Sequence, residues 1–231
     1  MPNSIRDAME LKDALFWIGH ASFYIKAEGM TVFIDPFNIP DGMKERADIV
    51  LITHSHFDHC SRKDIDKVVK DGTRIIAAQG CLNAKDYSGM TVARQGFRER
   101  VGSVDIEAVP AYNIRSERLQ FHPRSNGWLG YIIGIGGMRI YHAGDTDFIP
   151  EMKSIKGIDA ALLPAGGTFT MDAAEAIEAA KAIAPKFFVP MHYKNLLGKE
   201  GSLTAEEQIR RGIGCATIMK EVQEPTYAFR E

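Results

Sequence analysis

The sequence predicts an α/β protein built as a four-layer αββα sandwich, on three observations. Short β-rich runs separated by turns fill the first and middle thirds of the chain. One of them, Asp48 to Thr53 (DIVLIT), carries an unbroken apolar run, the pattern of a strand buried on both faces. The last third alternates strand and helix patterns, so helices should lie outside two packed sheets.

Taken in order, Leu15 to Ile18, Ser22 to Lys26 and Thr31 to Asp35 read as strands, with Glu28-Gly29 a tight turn. After DIVLIT, Ser61 and Asp64 have capping-box spacing, and Ile65, Val68 and Val69 share one face of the helix that follows. Thr73 to Ala78, Val104 to Ala111, Trp128 to Gly134 and Met138 to His142 are further strands. Gly134 to Gly137 precedes a strand and lacks GxGxxG spacing, so it reads as a hairpin turn and not a nucleotide loop. Ile158 to Leu163 is a strand, and Asp172 caps a helix running to Ala184. Lys186 to Pro190 is a strand, Thr204 with Glu207 should cap another helix, and a β segment closes the chain. With no linker, repeat or low-complexity segment, residues 1–231 read as one domain.

Composition narrows the function. Hydrophobic residues make up 45% and charged residues 25%, ordinary for a globular protein. A formal charge of -2 and scattered Lys and Arg give no basic stripe, so a nucleic-acid partner is not expected. The three cysteines, Cys60, Cys81 and Cys215, are unpaired in spacing and favour a reducing compartment. The N-terminus has no apolar leader stretch and no run is long enough to span a bilayer. The reading is a cytoplasmic protein with no membrane partner.

The chemistry is carried by His54-Ser55-His56-Phe57-Asp58-His59, directly after the DIVLIT strand. In an extended segment His54 and His56 point the same way. Three of the seven histidines fall within these six positions. A polar loop holding them without a metal would suffer repulsion or desolvation whenever they charged. Imidazole and carboxylate donors in this mix suit a divalent first-row metal such as zinc, manganese or iron.

At these residues the sequence resembles the metallo-β-lactamase superfamily, whose signature is HxHxDH. Trp17 to Phe23, Phe33 to Phe37, His142-Ala143-Gly144-Asp145-Thr146 and Pro190-Met191-His192-Tyr193 resemble the branch that holds ascorbate-6-phosphate lactonase and many uncharacterised metal-dependent hydrolases. The resemblance implies the αββα metallo-β-lactamase fold and one or two ions: zinc foremost, with manganese, iron or nickel as alternatives. It implies His54 and His56 at site one, Asp58 and His59 at site two, Asp145 as a bridge, and His192 completing site two. It favours Asp35 as a residue that orients a ligating imidazole. His20 is open between a place at the site and a half-buried structural histidine. His142 reads as structural, and Cys60 as a small buried residue. The Gly166 to Thr170 run is either an anion-facing loop or a tight entry to a helix.

One departure stands out. The family supplies another histidine to site one from the end of a mid-chain strand, where this sequence has Asn113. Site one is then weakened, rebuilt with His122, or different in metal preference. The expected activity is hydrolysis by a metal-activated water at an ester, lactone or phosphoester bond of a small-molecule substrate. Asp58 is the expected catalytic residue. His122, Asn113 and Tyr193 are expected to meet substrate, with His122 and Tyr193 as candidate proton donors. An iron-dependent oxidoreductase on the same fold and a non-catalytic metal-binding regulator are the alternatives. A homo-oligomer is compatible with the family.

Overall fold

Strand β4 (Ile49–Ile52) is buried at every position, and its alternation explains the unbroken apolar run. Ile49 and Leu51 belong to the cluster between the sheets, whereas Val50 and Ile52 join a second cluster with Ile65 and Val68 of helix α1 (Arg62–Val68). Both faces of this strand therefore need apolar side chains. The computed structural model describes Leu11, residues 13–82 and residues 86–221.

Sheet one runs β1 (Leu15–Gly19), β2 (Ser22–Ala27), β3 (Met30–Ile34), β4, β5 (Arg74–Ala78) and β6 (Thr91–Ala93), in that order. Sheet two holds β7 (Arg98–Val101), β8 (Val104–Pro110), β9 (Leu129–Ile135), β10 (Met138–His142), β11 (Ala160–Pro164) and β12 (Phe187–Met191), in the order β12-β11-β10-β9-β8-β7. Helix α1 covers sheet one. Helices α2 (Ala173–Ile183) and α3 (Lys194–Gly212) pack on each other, and α2 adds Ala176, Ala180 and Ile183 to the larger core. The four-layer αββα arrangement follows from these packings.

Strand directions decide where the site can form. β3 is parallel to β4, and β1 runs the same way because it is antiparallel to β2, which is antiparallel to β3. By the same reasoning β8, β10 and β12 share one direction in sheet two. Each of these six strands is followed by a polar residue of interest: His20, Asp35, Thr53, Asn113, Asp145 or His192.

Several expectations are corrected. Thr204 lies inside α3, where its hydroxyl donates to the Glu200 carbonyl at 3.0 Å; the helix begins at Lys194 and is interrupted at Gly198, which has φ 64°. Ser61 precedes α1, but no capping box forms: its hydroxyl donates to Asp64 Oδ2 at 2.6 Å. Asp64 instead accepts from the Asn38 and Ile39 amides at 3.1 and 3.0 Å and ties that loop to the helix. β6 and β7 were not foreseen; they are short, and the RERV sequence of β7 has no apolar face. The closing β segment is limited, among the described residues, to isolated bridges at Ala216 and Glu221. Residues 222–231 lie outside the described residues, as do residues 1–10, which were read as lacking a leader. No helix among the described residues is long and apolar enough to cross a membrane. Asp172 and Glu175 form the reciprocal capping box of α2, whose C-cap is Ala184, one residue beyond the helix end at Ile183.

Candidate metal centre

After β4 the chain turns sharply, and the His59 and Cys60 amides both donate to the His56 carbonyl. This turn brings the donors of the motif together. His54 Nε2 and His56 Nδ1 face each other at 3.1 Å. The ring of His122 stands 5.2 Å from that of His54 and 4.9 Å from that of His56. Donor atoms of these three histidines lie within 4.8 Å of one another. A second set, His20, Asp58, His59 and His192, meets the same limit.

Asp145 lies between the two sets. Its Oδ2 is 3.0 Å from His192 Nε2, 3.3 Å from His122 Nε2 and 4.0 Å from His54 Nε2. Its Oδ1 is 3.4 Å from His59 Nε2. Nε2 of His59, His122 and His192, and Oδ1 of Asp145, are buried without a hydrogen-bond partner among the described residues. Leaving such groups unpaired away from water is costly. An ion in each set would satisfy them, so the residues present fit a divalent metal. The donors are nitrogen and oxygen only, because the Cys60 thiol turns to the Cys81 carbonyl at 3.1 Å.

The ring nitrogens are set by their outer partners. Asp35 Oδ2 lies 2.7 Å from His59 Nδ1 and accepts the Thr53 hydroxyl at 2.6 Å. Having donated to Asp35, that hydroxyl can only accept from His54 Nδ1–H at 3.0 Å, which leaves His54 Nε2 as the free donor atom. His20, Asp35 and His192 have φ of 53°, 45° and 54°, a left-handed backbone that Asp and His tolerate better than most residues. Local strain of this kind concentrates where side-chain placement matters.

Burial, then the neighbouring imidazoles, lowers the basicity of His54 and His56, and burial with His192 lowers His20 to about 4. These rings are neutral near pH 7 and present lone pairs. Burial also opposes charge on His59, but Asp145, Asp58 and Asp35 outweigh it and hold its pKa well above the usual value. Burial would raise Asp58 and Asp145, yet the surrounding histidines keep both below the ordinary carboxylate range.

Two site expectations are corrected, and His122, left open between site one and substrate, falls with site one. Tyr193 is fully buried and its hydroxyl donates to Glu206 Oε1 at 2.6 Å, so it neither meets substrate nor donates a proton there. Asn113 is 2% exposed and its amide is fully engaged: Nδ2 donates to Asp147 Oδ1 at 3.0 Å and to the Phe169 carbonyl at 3.1 Å. Its Oδ1 lies 2.8 Å from His122 Nδ1. His122 is 1% exposed and stands with His54 and His56. The structure thus puts an imidazole where Asn113 left a gap, and Asn113 behind it.

His142 is structural, as read: it bonds the Ala21 carbonyl through Nε2 at 2.8 Å. The Gly166 to Thr170 run turns the carbonyls of Phe169 and Thr170 toward Asn113 and Arg118, which favours the tight-entry reading. Sequence reasoning missed Trp128, whose ring stands 4.9, 4.8 and 5.6 Å from those of His54, His56 and His122. It left His20 open, though His20 Nε2 is 3.0 Å from Asp58 Oδ2. The available signal for His20 was its place at the end of a strand.

The chain is similar to known proteins over most of its length. The family described as "Beta-lactamase superfamily domain" matches residues 14–192. A UPF0173 metal-dependent hydrolase of Pyrococcus furiosus is 36% identical over 77% of this chain and 83% of its own length. A UPF0173 protein of Pyrococcus abyssi is 32% identical over 86% of this chain and 92% of its own. Among solved structures, a metal-dependent hydrolase from Parabacteroides distasonis superposes with a TM-score of 0.78 at 34% identity, covering 90% of this chain and 92% of that one. The diiron β-hydroxylase CmlA of Streptomyces venezuelae shares the fold alone, at 17% identity and a TM-score of 0.68 over 89% of this chain and 52% of that one. The chain therefore belongs to the beta-lactamase superfamily, within its UPF0173 group of metal-dependent hydrolases.

Proposed function

We propose that the protein hydrolyses an ester, lactone or phosphoester bond of a small molecule at a centre of two divalent ions, with zinc the first candidate. One observation carries this reading: two sets of buried donors meet at a single carboxylate, Asp145. His54, His56 and His122 would hold one ion, and Asp58, His59 and His192 the other. Bound there, a divalent metal would lower the pKa of its water toward neutrality and polarise the substrate oxygen.

The remaining work falls to the chain. Within the motif Phe57 is 68% exposed and the Asp58 side chain 14%, so the opening lies on this side. In this reading Asp58 accepts the proton of the attacking water, which is supported by His20 at 3.0 Å from its carboxylate. Trp128 and the burial of His54 and His122 keep bulk water from the rear of the pocket. The oxidoreductase alternative is supported only by a likeness of fold. The regulator alternative rests on Asn113, and His122 stands in front of it with His54 and His56.

The test is a screen of zinc-, manganese- and iron-loaded protein against lactones, carboxylic esters, phosphodiesters and phosphomonoesters. Turnover of one class that disappears on chelation and returns with metal supports the proposal. Metal-replete protein inactive on every class overturns it.

A further inference from the structure

His122 sits on a loop and lacks the direct carboxylate partner that Asp35 provides to His59. A chain of hydrogen bonds behind it does the same work. The Asn113 amide contacts two acceptors on one side, Asp147 Oδ1 at 3.0 Å and the Phe169 carbonyl at 3.1 Å. Only its NH2 group can face two acceptors, so the amide oxygen must face His122. That oxygen, 2.8 Å from His122 Nδ1, requires a proton there and leaves Nε2, 3.3 Å from Asp145 Oδ2, as the ring nitrogen that faces the cluster.

Asp147 is in turn fixed on every side. It is wholly buried; its Oδ2 accepts the Ile114 and Arg115 amides at 2.7 and 2.8 Å, and Arg118 Nε lies 3.2 Å from its Oδ1. Arg118 is anchored to Glu175 of α2 at 2.7 Å and to the Thr170 carbonyl. The loop and helix α2 are thereby joined through one buried carboxylate.

We propose that Asp147 is a positioning residue that, through Asn113, fixes the ring tautomer of His122 and so presents Nε2 as a ligand to site one. The inference rests on the metal-centre reading, but the tautomer itself can be observed before any metal is added. Replacing Asp147 by Asn removes one of the two acceptors that forbid the flipped amide, leaving only the Phe169 carbonyl to oppose it. Flipped, Asn113 would offer N–H to His122 Nδ1, driving the ring proton to Nε2 and blocking ligation.

The experiment is 15N NMR of the histidine rings of the full-length chain, followed from the metal-free protein through a zinc titration. Wild type should show His122 in the Nδ1–H form before zinc and Nε2 ligation after it. Asp147→Asn and Asn113→Leu should lose the fixed Nδ1–H form and bind zinc at site one at least ~10-fold more weakly, the lower end of what an outer partner contributes. Site two should fill as in wild type, as an internal control. Asp147 also holds the Ile114 and Arg115 amides; if Asp147→Asn unfolds the loop, Asn113→Leu, which leaves those bonds intact, decides. His122 as Nε2–H in the wild type overturns the inference, as does wild-type site-one binding in either folded variant. If the wild type shows the Nδ1–H form but binds no zinc, the metal reading fails and the tautomer relay stands.

Discussion

His59 Nδ1 stands 2.7 Å from Asp35 Oδ2, and that same oxygen accepts the Thr53 hydroxyl at 2.6 Å. One buried carboxylate therefore governs a ring in each metal set, His59 directly and His54 through Thr53. Asp35→Asn should weaken zinc binding at both sites by about 10- to 100-fold, the usual effect of losing such a partner. Competition with a chromophoric chelator measures this. Unchanged affinity at the His54 set would show that Thr53 orients His54 without Asp35.

Asp58 joins two proposed roles, holding the second ion and accepting a proton. Asp58→Asn keeps the shape but removes the charge, and kcat on an identified substrate should fall by at least ~10², the scale for a positioned proton acceptor. The fold should survive, as circular dichroism would show, with a lower melting temperature for the metal-free protein because Asp58 helps to hold His59 charged. A variant with wild-type kcat and wild-type metal content would refute the role.

The sequence made some of this site legible and hid the rest for physical reasons. His54, His56, Asp58 and His59 are adjacent in the chain, so their convergence needs only one strand and one turn. Asp145 and His192 were placed by resemblance, and strand direction brings them to the same rim. The partnership of Asn113 and His122 depends on how a nine-residue excursion folds back, which neither periodicity nor spacing encodes. Tyr193 was misread because the left-handed His192, at φ 54°, turns the chain, and its neighbour lands against Glu206 of α3. Ser61 and Asp64 had capping-box spacing, but the loop amides of Asn38 and Ile39 compete for the same carboxylate. Local spacing could not anticipate that competitor.

Metal binding should release protons. In the metal-free protein three carboxylates hold His59 charged above its usual pKa, and a metal must displace that proton. Titration calorimetry at pH 7 in buffers of different ionisation enthalpy should show net proton release, and none would refute the assignment. The same shifts set the stability of the metal-free form. His20, His54 and His56, with lowered folded pKa values, cost stability as pH falls below about 6.5, their unfolded value. His59, with a raised one, contributes stability that is complete below about 6.5 and lost as pH rises through its folded value. Melting temperature should therefore peak near neutrality and decline toward alkaline pH. Zinc-loaded protein should lack that alkaline decline.

Gly144 allows the approach of β10 to the motif. Its φ is 64°, and a Cβ there would lie 2.6 Å from the Leu129 carbonyl oxygen and 3.2 Å from Thr53 Cβ. Gly144→Ala would strain the backbone and push on the residue that orients His54. A stability loss of at least ~1–3 kcal/mol is expected, together with weaker zinc binding. Thermal melts with and without zinc measure both, and an unperturbed variant would show that this contact relaxes freely.

Tyr193 separates structure from chemistry. Its hydroxyl donates to Glu206 Oε1 at 2.6 Å, and Glu206 is itself only 8% exposed. Arg210 is the other partner of that carboxylate, at 3.5 Å through Oε2. Tyr193→Phe keeps the ring packed on Trp17, 5.9 Å between centroids, and deletes only the hydroxyl. Oε1 then loses its hydrogen bond in a buried setting, which typically costs about 1–3 kcal/mol. Denaturant unfolding should register that loss, with the slope unchanged because the surface exposed on unfolding is the same. Since Tyr193 reaches neither substrate nor the ligand sets, kcat and zinc stoichiometry should both match wild type. A fall in kcat with metal retained would reverse this placement and return Tyr193 to the list of proton donors. The double change Tyr193→Phe with Glu206→Gln gives a further check: a neutral amide tolerates the missing hydroxyl better than a carboxylate, so part of the lost stability should return.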